Sequence, residues 1–185
     1  MLTLLSDHLP TSEVSSSSED PVNVANNVLD GNLKTYYLSS TAIVTGEWVQ
    51  LKLENVALVS KVVITESAFQ GIDKNNKKNE YRLKSLDVRV GNTQTTRDNH
   101  GLINQNDICD TFSGPGMREE EIVLTCEPSA IKGQFVIVHK VDQSILNIAE
   151  IKVIGKEMTF DGTKKGKLLA VVDTTRTIIC SYDLS

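Results

Sequence analysis

The sequence predicts an all-β fold, a sandwich or a barrel. Apolar residues recur at every second position in one short segment after another, the period of a strand with one face in a core. These segments are separated by about 10–20 residues punctuated with Gly, Asn, Asp and Pro, as in sandwich and barrel proteins. Helical periodicity is missing, apart from one turn near Val24 to Leu29.

Each element follows from its own pattern. In "WVQLKL", Val49, Leu51 and Leu53 share one face, with Gln50 and Lys52 opposite. "SKVVITES" reads as the next strand. "LDVRV" turns Leu86, Val88 and Val90 inward and Asp87 and Arg89 outward. "EEIVLT" adds a further strand, and "QFVIVHK" is apolar on both faces, as expected deep in a sandwich. "NIAEIKVI" sets Ala149, Ile151 and Val153 against Glu150 and Lys152. Two stretches, Ser67 to Tyr81 and Gly91 to Gly116, read as long polar surface loops, a length usually tied to function or disorder. After Gly155, "KEMTFDGTKKGK" reads as a linker ahead of two strand-like pieces, "LLAVV" and "RTIIC". The expected division is a main domain over 1–155 and an extension over 156–185 that begins a second, truncated domain.

Composition narrows the function classes. The 185 residues are 39% hydrophobic and 23% charged, ordinary for a globular protein, with a formal net charge of −5. That sign argues against nucleic acid and anionic membranes as partners. No apolar run approaches the roughly 20 residues that cross a bilayer, so no membrane insertion is expected. The opening "MLTLLSDHLP" has no basic n-region and is not an intact signal peptide. Cys109, Cys126 and Cys180 are equally compatible with buried free thiols and with a bridge, so they leave the redox compartment open.

The chemistry of catalysis is missing. His8, His100 and His139 form no short-spaced pair with another His or Cys, which disfavours zinc, and His139 ends a buried strand as a packing residue. "GTKKGK" lacks the spacing of a phosphate loop, and there is neither a nucleophile elbow nor a carboxylate pair on candidate strands. An enzyme is not expected. The string "NNVLDGNLKTYY", Asn26 to Tyr37, is more suggestive. It gathers amide, carboxylate and carbonyl oxygens of the kind calcium takes. Asp30-Gly31-Asn32 is equally a hairpin turn that needs no ion, and both readings stand at this level.

Taken in order, "ANNVLDGNLKTYY", "GEWVQLKL", "KVVIT", "YRLKSLDVRVGN", "NDICDTF", "IVLTCE", "KGQFVIVHK" and "LNIAEIKVIG" resemble the F-type lectin (fucolectin) domain from about residue 10 to 155. The resemblance implies an eight-stranded jelly-roll β-sandwich of the discoidin-like, galactose-binding-like kind, with a bound Ca2+ ion and a shallow fucose pocket at one end. Its calcium ligands would be the backbone carbonyls of Asn27, Asn32 and Ala149, the carboxylates of Asp30 and Glu150, and the hydroxyl of Thr41. It also implies a disulfide between Cys109 and Cys126, whose closed loop would stabilise the fold by roughly 3 kcal/mol. The positions of the family's second disulfide are Ala42 and Ala149 here, lost together. Cys180 lies outside the resemblance.

The sugar pocket departs from the family. Its histidine position falls near Val44 and its first arginine near Ser67; only the second arginine survives, as Arg82. Each lost charge-assisted hydrogen bond is worth about 1.5–3 kcal/mol, so ordinary fucose binding is not expected. The implied function is a calcium-binding carbohydrate-recognition module with an altered site, its contact loops Ser39 to Thr45, Ser67 to Arg82 and Arg97 to Ile108, with Lys74, Lys77, Lys78 and Arg82 suited to a different, acidic glycan. The alternative is a protein-interaction or cell-adhesion module on the same sandwich. The implied partner is a glycan or glycoprotein met outside the cell, as a secreted protein or an ectodomain, with oligomers possible.

Overall fold

The structure, a computed structural model, describes residues 8–40, 46–68 and 83–158, together with the backbone of Val171–Val172 and Thr177–Ile178. Thr41, Arg82, Val44, Cys180 and most of the lysine-rich loop after Ser67 lie outside the described residues.

Eight strands pair in one continuous antiparallel network: β1 (Thr11–Ser16), β2 (Tyr37–Leu38), β3 (Trp48–Glu66), β4 (Leu86–Gly91), β5 (Asp107–Phe112), β6 (Glu121–Thr125), β7 (Ile131–Lys140) and β8 (Asn147–Glu157). The pivot is β3, 19 residues long. Its first part, Trp48 to Leu53, lies between β1 and β7, and its last part, Lys61 to Glu66, lies between β6 and β8. At Ala57 to Val59 it pairs with β7 on one side and β8 on the other. Register breaks between Lys52 and Ala57, and between Val59 and Lys61, mark a corner at which one strand passes from layer to layer. Layer one therefore runs β1-β3-β7-β4-β5, and layer two runs β2-β8-β3-β6. This is the eight-stranded sandwich expected from the sequence. Two further strands, β9 (Val171–Val172) and β10 (Thr177–Ile178), pair only with each other.

The period-two faces meet as expected. Val49, Leu51, Leu53, Val62, Ile64, Val88, Val90, Val136, Val138, Ile151 and Val153 join one buried cluster between the layers. Phe135 to Val138 of β7 are buried on both faces, and the outer face has a specific cover. There, Ile137 packs with Trp48 and Ile103 in a second, smaller cluster.

That cover corrects one expectation. The stretch from Gly91 to Gly116 is not a single surface loop. It contains a 3-10 turn, His100–Gln105, and strand β5. The turn brings Ile103 down onto Trp48, and two amides fasten the chain: Thr95 N–H donates to Gln50 Oε1 at 2.7 Å, and Thr93 N–H donates to Asn106 Oδ1 at 3.1 Å. β5 escapes a pattern reading because, as an edge strand, it buries only Cys109 fully. β1 escapes for the same reason, with Ser16 alone buried.

Cys109 on β5 and Cys126 beyond β6 form a disulfide, Cα to Cα 4.1 Å, both residues buried. It joins the edge of layer one to the edge of layer two, beside a bond from Thr125 N–H to Asp110 Oδ2 at 3.1 Å. At one end of the sandwich, Leu83 N–H donates to Glu66 Oε1 at 3.3 Å and ties the entry of β4 to the exit of β3.

Candidate functional site

The turn that follows the first 3-10 segment, Ala25–Leu29, is knitted by its own polar groups. Asp30 Oδ1 accepts from Asn32 N–H at 2.8 Å, and Oδ2 accepts the Thr35 hydroxyl at 2.6 Å. Gly31 sits at φ 70°, the left-handed region where glycine carries no side-chain penalty. Its N–H points across the molecule to Glu150 Oε2, 3.0 Å away and 119 positions distant in sequence. Asn27 Nδ2 donates to Tyr36 O at 2.9 Å and ties the 3-10 segment to the end of the turn.

Glu150 is buried on β8, and its burial raises its proton affinity. The Gly31 bond acts against that rise, the nearby Asp30 charge adds to it, and Lys152 opposes it. Among the described residues, no ion pair includes Asp30 or Glu150. Ala149 also stands out. Thr65 faces Glu150 and Glu66 faces Ile148, so Ala149 is the extra residue of a bulge with no partner in that ladder. Bulges of this kind release backbone groups from pairing and recur beside functional sites.

The Gly31–Glu150 bond brings Asp30, Asn32 and Glu150 to one place; Ala149 precedes Glu150 at the bulge, Asn27 lies in the 3-10 turn before Asp30, and Thr41 lies outside the described residues. Hard oxygen donors without His or Cys suit calcium. The described residues hold no group of three or more His, Cys, Asp or Glu side chains, so an ion here would need backbone carbonyls and a hydroxyl as well. The Asn32 carbonyl accepts the Thr35 N–H at 3.0 Å, and the Thr35 hydroxyl, 2.7 Å from that carbonyl and 2.6 Å from Asp30 Oδ2, has one proton for the two acceptors. With that proton given to Asp30, the Asn32 carbonyl keeps one lone pair for an ion.

The second part of the site is the sandwich end where the contact loops leave. It carries buried polar residues: Ser39 and Ser67, which open two of the expected contact loops, and Glu66, Lys140 and Asn147, which the sequence did not flag. Lys140 is wholly buried. Its Nζ donates to Lys84 O at 2.6 Å and pairs with Asp142 Oδ1 at 3.3 Å. Burial lowers its proton affinity, and Asp142 opposes the shift. Nothing in "QFVIVHK" announces this, since a lysine that closes a strand ordinarily reaches water. Ser67, at the position of the missing first arginine, is also buried. Ser39 Oγ accepts from Leu146 N–H at 3.0 Å and holds the β2 and β8 connections together. His139 is half-buried and its proton affinity is lowered by burial, in keeping with packing.

No protein-family model matches the sequence, and no curated protein does. Solved structures match the fold. The F-lectin (fucolectin) from Morone saxatilis (striped bass) serum superimposes with a TM-score of 0.60 at 18% identity, over 78% of this chain and 45% of that one. The family 32 carbohydrate-binding module of Clostridium perfringens NanJ, solved with galactose, gives 0.58 at 15% identity, over 76% and 91%. The lectin domain of lectinolysin, solved with Lewis B antigen, gives 0.58 at 18% identity, over 80% and 94%. The fold is thus the discoidin-like, galactose-binding-like β-sandwich shared by fucolectins and family 32 modules.

Proposed function

We propose that this chain is a non-catalytic carbohydrate-recognition module that binds a glycan at the loop end of the sandwich. A calcium ion held between the Asp30 turn and Glu150 stiffens that end. One observation carries the reading: Gly31 clasps the buried Glu150, the Asp30 charge bears on it, and among the described residues neither carboxylate is in an ion pair. Asp30, Glu150 and the carbonyls of Asn27, Asn32 and Ala149, with the Thr41 hydroxyl, would hold the ion. Once bound, the ion supplies charge balance and a cross-link between an early turn and the last core strand. The fold neighbours solved with galactose and with Lewis B support the glycan part of the reading. The buried disulfide supports an oxidising, extracellular setting.

Fucose itself fits poorly. Val44 offers no donor, and the buried Ser67 hydroxyl cannot reach as a guanidinium does. Arg82 then stands alone of the three expected donors.

A glycan array probed with the wild-type protein and with Glu150→Gln, each with calcium and with chelator, tests the proposal. The expected result is calcium-dependent retention of a restricted set of glycans by the wild type, lost in Glu150→Gln. Titration with free L-fucose should give a Kd weaker than about 100 μM. Retention of no glycan under any condition would leave the protein-interaction module as the better reading.

A further inference from the structure

Asp30-Gly31 is one of two Asp-Gly pairs in the chain, the other being Asp161-Gly162. At such a pair the main chain can attack itself. Glycine puts no side chain in the way, so its amide nitrogen can close a five-membered ring on the carboxyl carbon of the preceding aspartate. Asp30 and Gly31 are both exposed, and a Cβ added at Gly31 would meet nothing within 4 Å. Water and backbone rotation both have room.

The observed geometry is one torsion away from that reaction. Asp30 has ψ −5°, which sets Gly31 N beside Asp30 N and away from Cβ. Ring closure needs Gly31 N on the Cβ side, a turn of roughly 120° about Cα–C, and an approach of about 3–3.5 Å to Cγ. Three bonds oppose the turn. Asp30 Oδ1 and Oδ2 are held by Asn32 N–H at 2.8 Å and by the Thr35 hydroxyl at 2.6 Å, both inside the turn. The third runs from Gly31 N–H to Glu150 Oε2 at 3.0 Å and ties the attacking nitrogen to β8. Bonds internal to an exposed turn open with it, whereas the buried Glu150 belongs to a core strand and does not follow. Rotation about Asp30 Cα–C therefore has to break the Glu150 bond first.

We infer that Asp30-Gly31 is a self-modification site, at which Asp30 isomerises to isoaspartate, and that the Gly31–Glu150 bond is the latch restraining it. Gly31 N bonds to Asp30 Cγ, and one carboxylate oxygen leaves as water with the amide proton and one proton from solvent. Water then adds to the main-chain carbonyl carbon of Asp30, the bond from that carbon to Gly31 N breaks, and a proton returns to the nitrogen. The new carboxyl group gives its proton back to solvent. The main chain now runs through Cβ and Cγ, one carbon longer, and the carboxylate sits one carbon closer to it. The Asn32 bond and the Glu150 clasp cannot re-form as they stand.

Full-length wild type and Glu150→Met, which removes the acceptor at similar side-chain length, are incubated for weeks in chelator. Neither calcium nor a glycan takes part, so chelator keeps their binding out of the result. Isomerisation leaves mass unchanged, so digests are scored for isoaspartate by electron-transfer fragmentation, with Asp161 read in the same samples. Glu150→Met should isomerise at Asp30 about tenfold faster than wild type, or more, with the Asp161 rate held. An equal rate overturns the latch, and a slower one overturns it in favour of Glu150 as the base that takes the amide proton. Should Glu150→Met fail to fold, wild type in urea takes its place. Asp30 should then isomerise at least about tenfold faster unfolded than folded. Equal rates, or no isoaspartate at Asp30 in urea, overturn the assignment.

Discussion

Glu150 concentrates the residue-scale behaviour of this protein. Because its proton affinity is raised in the fold, first by burial, the folded state binds more protons than the unfolded one across that interval. The resulting stability is complete below the ordinary carboxylate value of 4.5 and is lost as pH rises through the raised titration of Glu150. Calcium held as proposed would reverse the sign, since it would bind the ionised carboxylate and stabilise increasingly as pH rises. Thermal melts in chelator across this interval should show a stability loss on raising pH that Glu150→Gln lacks. At neutral pH, calcium at a hundredfold excess over its Kd should stabilise the wild type by about 2.7 kcal/mol. Asp30→Ala and Glu150→Gln should show no such gain. A wild-type Tm indifferent to both calcium and chelator would remove the ion from the proposal.

At the scale of elements, close approach of backbones decides what the strands tolerate. Gly133 of β7 faces Ala57 at the corner of β3 and lies against Gly91 at the end of β4. A Cβ at Gly133 would come within 2.6 Å of the Gly91 backbone N and O, and backbone in a ladder cannot move aside cheaply. Gly133→Ala should therefore lower the urea midpoint, by about 1–3 kcal/mol in stability with an unchanged m-value. Gly101→Ala is the control: its added Cβ would meet Asn99 Oδ1 at an ordinary 3.6 Å, and its midpoint should hold. Element scale is also where pattern reading succeeds or fails. Strands with neighbours on both sides, such as β3, β7 and β8, print their faces in the sequence as alternation or as a continuous apolar run. β1 and β5 have one neighbour each and bury almost nothing, so their strings look like loops.

Over the whole molecule, the two layers meet at the β3 corner and again at the Cys109–Cys126 bridge. The bridge spans 17 positions and fastens two edge strands, β5 and β6, that do not pair with each other. Its removal in a Cys109→Ser, Cys126→Ser double variant should cost roughly 3 kcal/mol, since the unfolded chain regains the freedom of that loop. Equilibrium unfolding in urea measures it. A loss below about 0.5 kcal/mol would mean that the hydrogen bonds and packing between β5 and β6 hold the edges alone.

Local rules were enough for the strand faces, the helical turn near Val24 to Leu29, the tight Asp30-Gly31 turn and the choice of an all-β class, but not for the second helical turn, His100–Gln105. Each depends on residues within a few positions of one another. Resemblance along the chain added the disulfide pairing and placed Asp30 and Glu150 at one site. The positions 119 residues apart that Gly31 joins are beyond any local pattern. The burial of Lys140, the bulge that frees Ala149 and the Ile103 cover over Trp48 were all settled by folding in three dimensions. Each depends on which distant segment comes to lie over it, and burial, pairing and proton affinity are properties of that surrounding rather than of the residue.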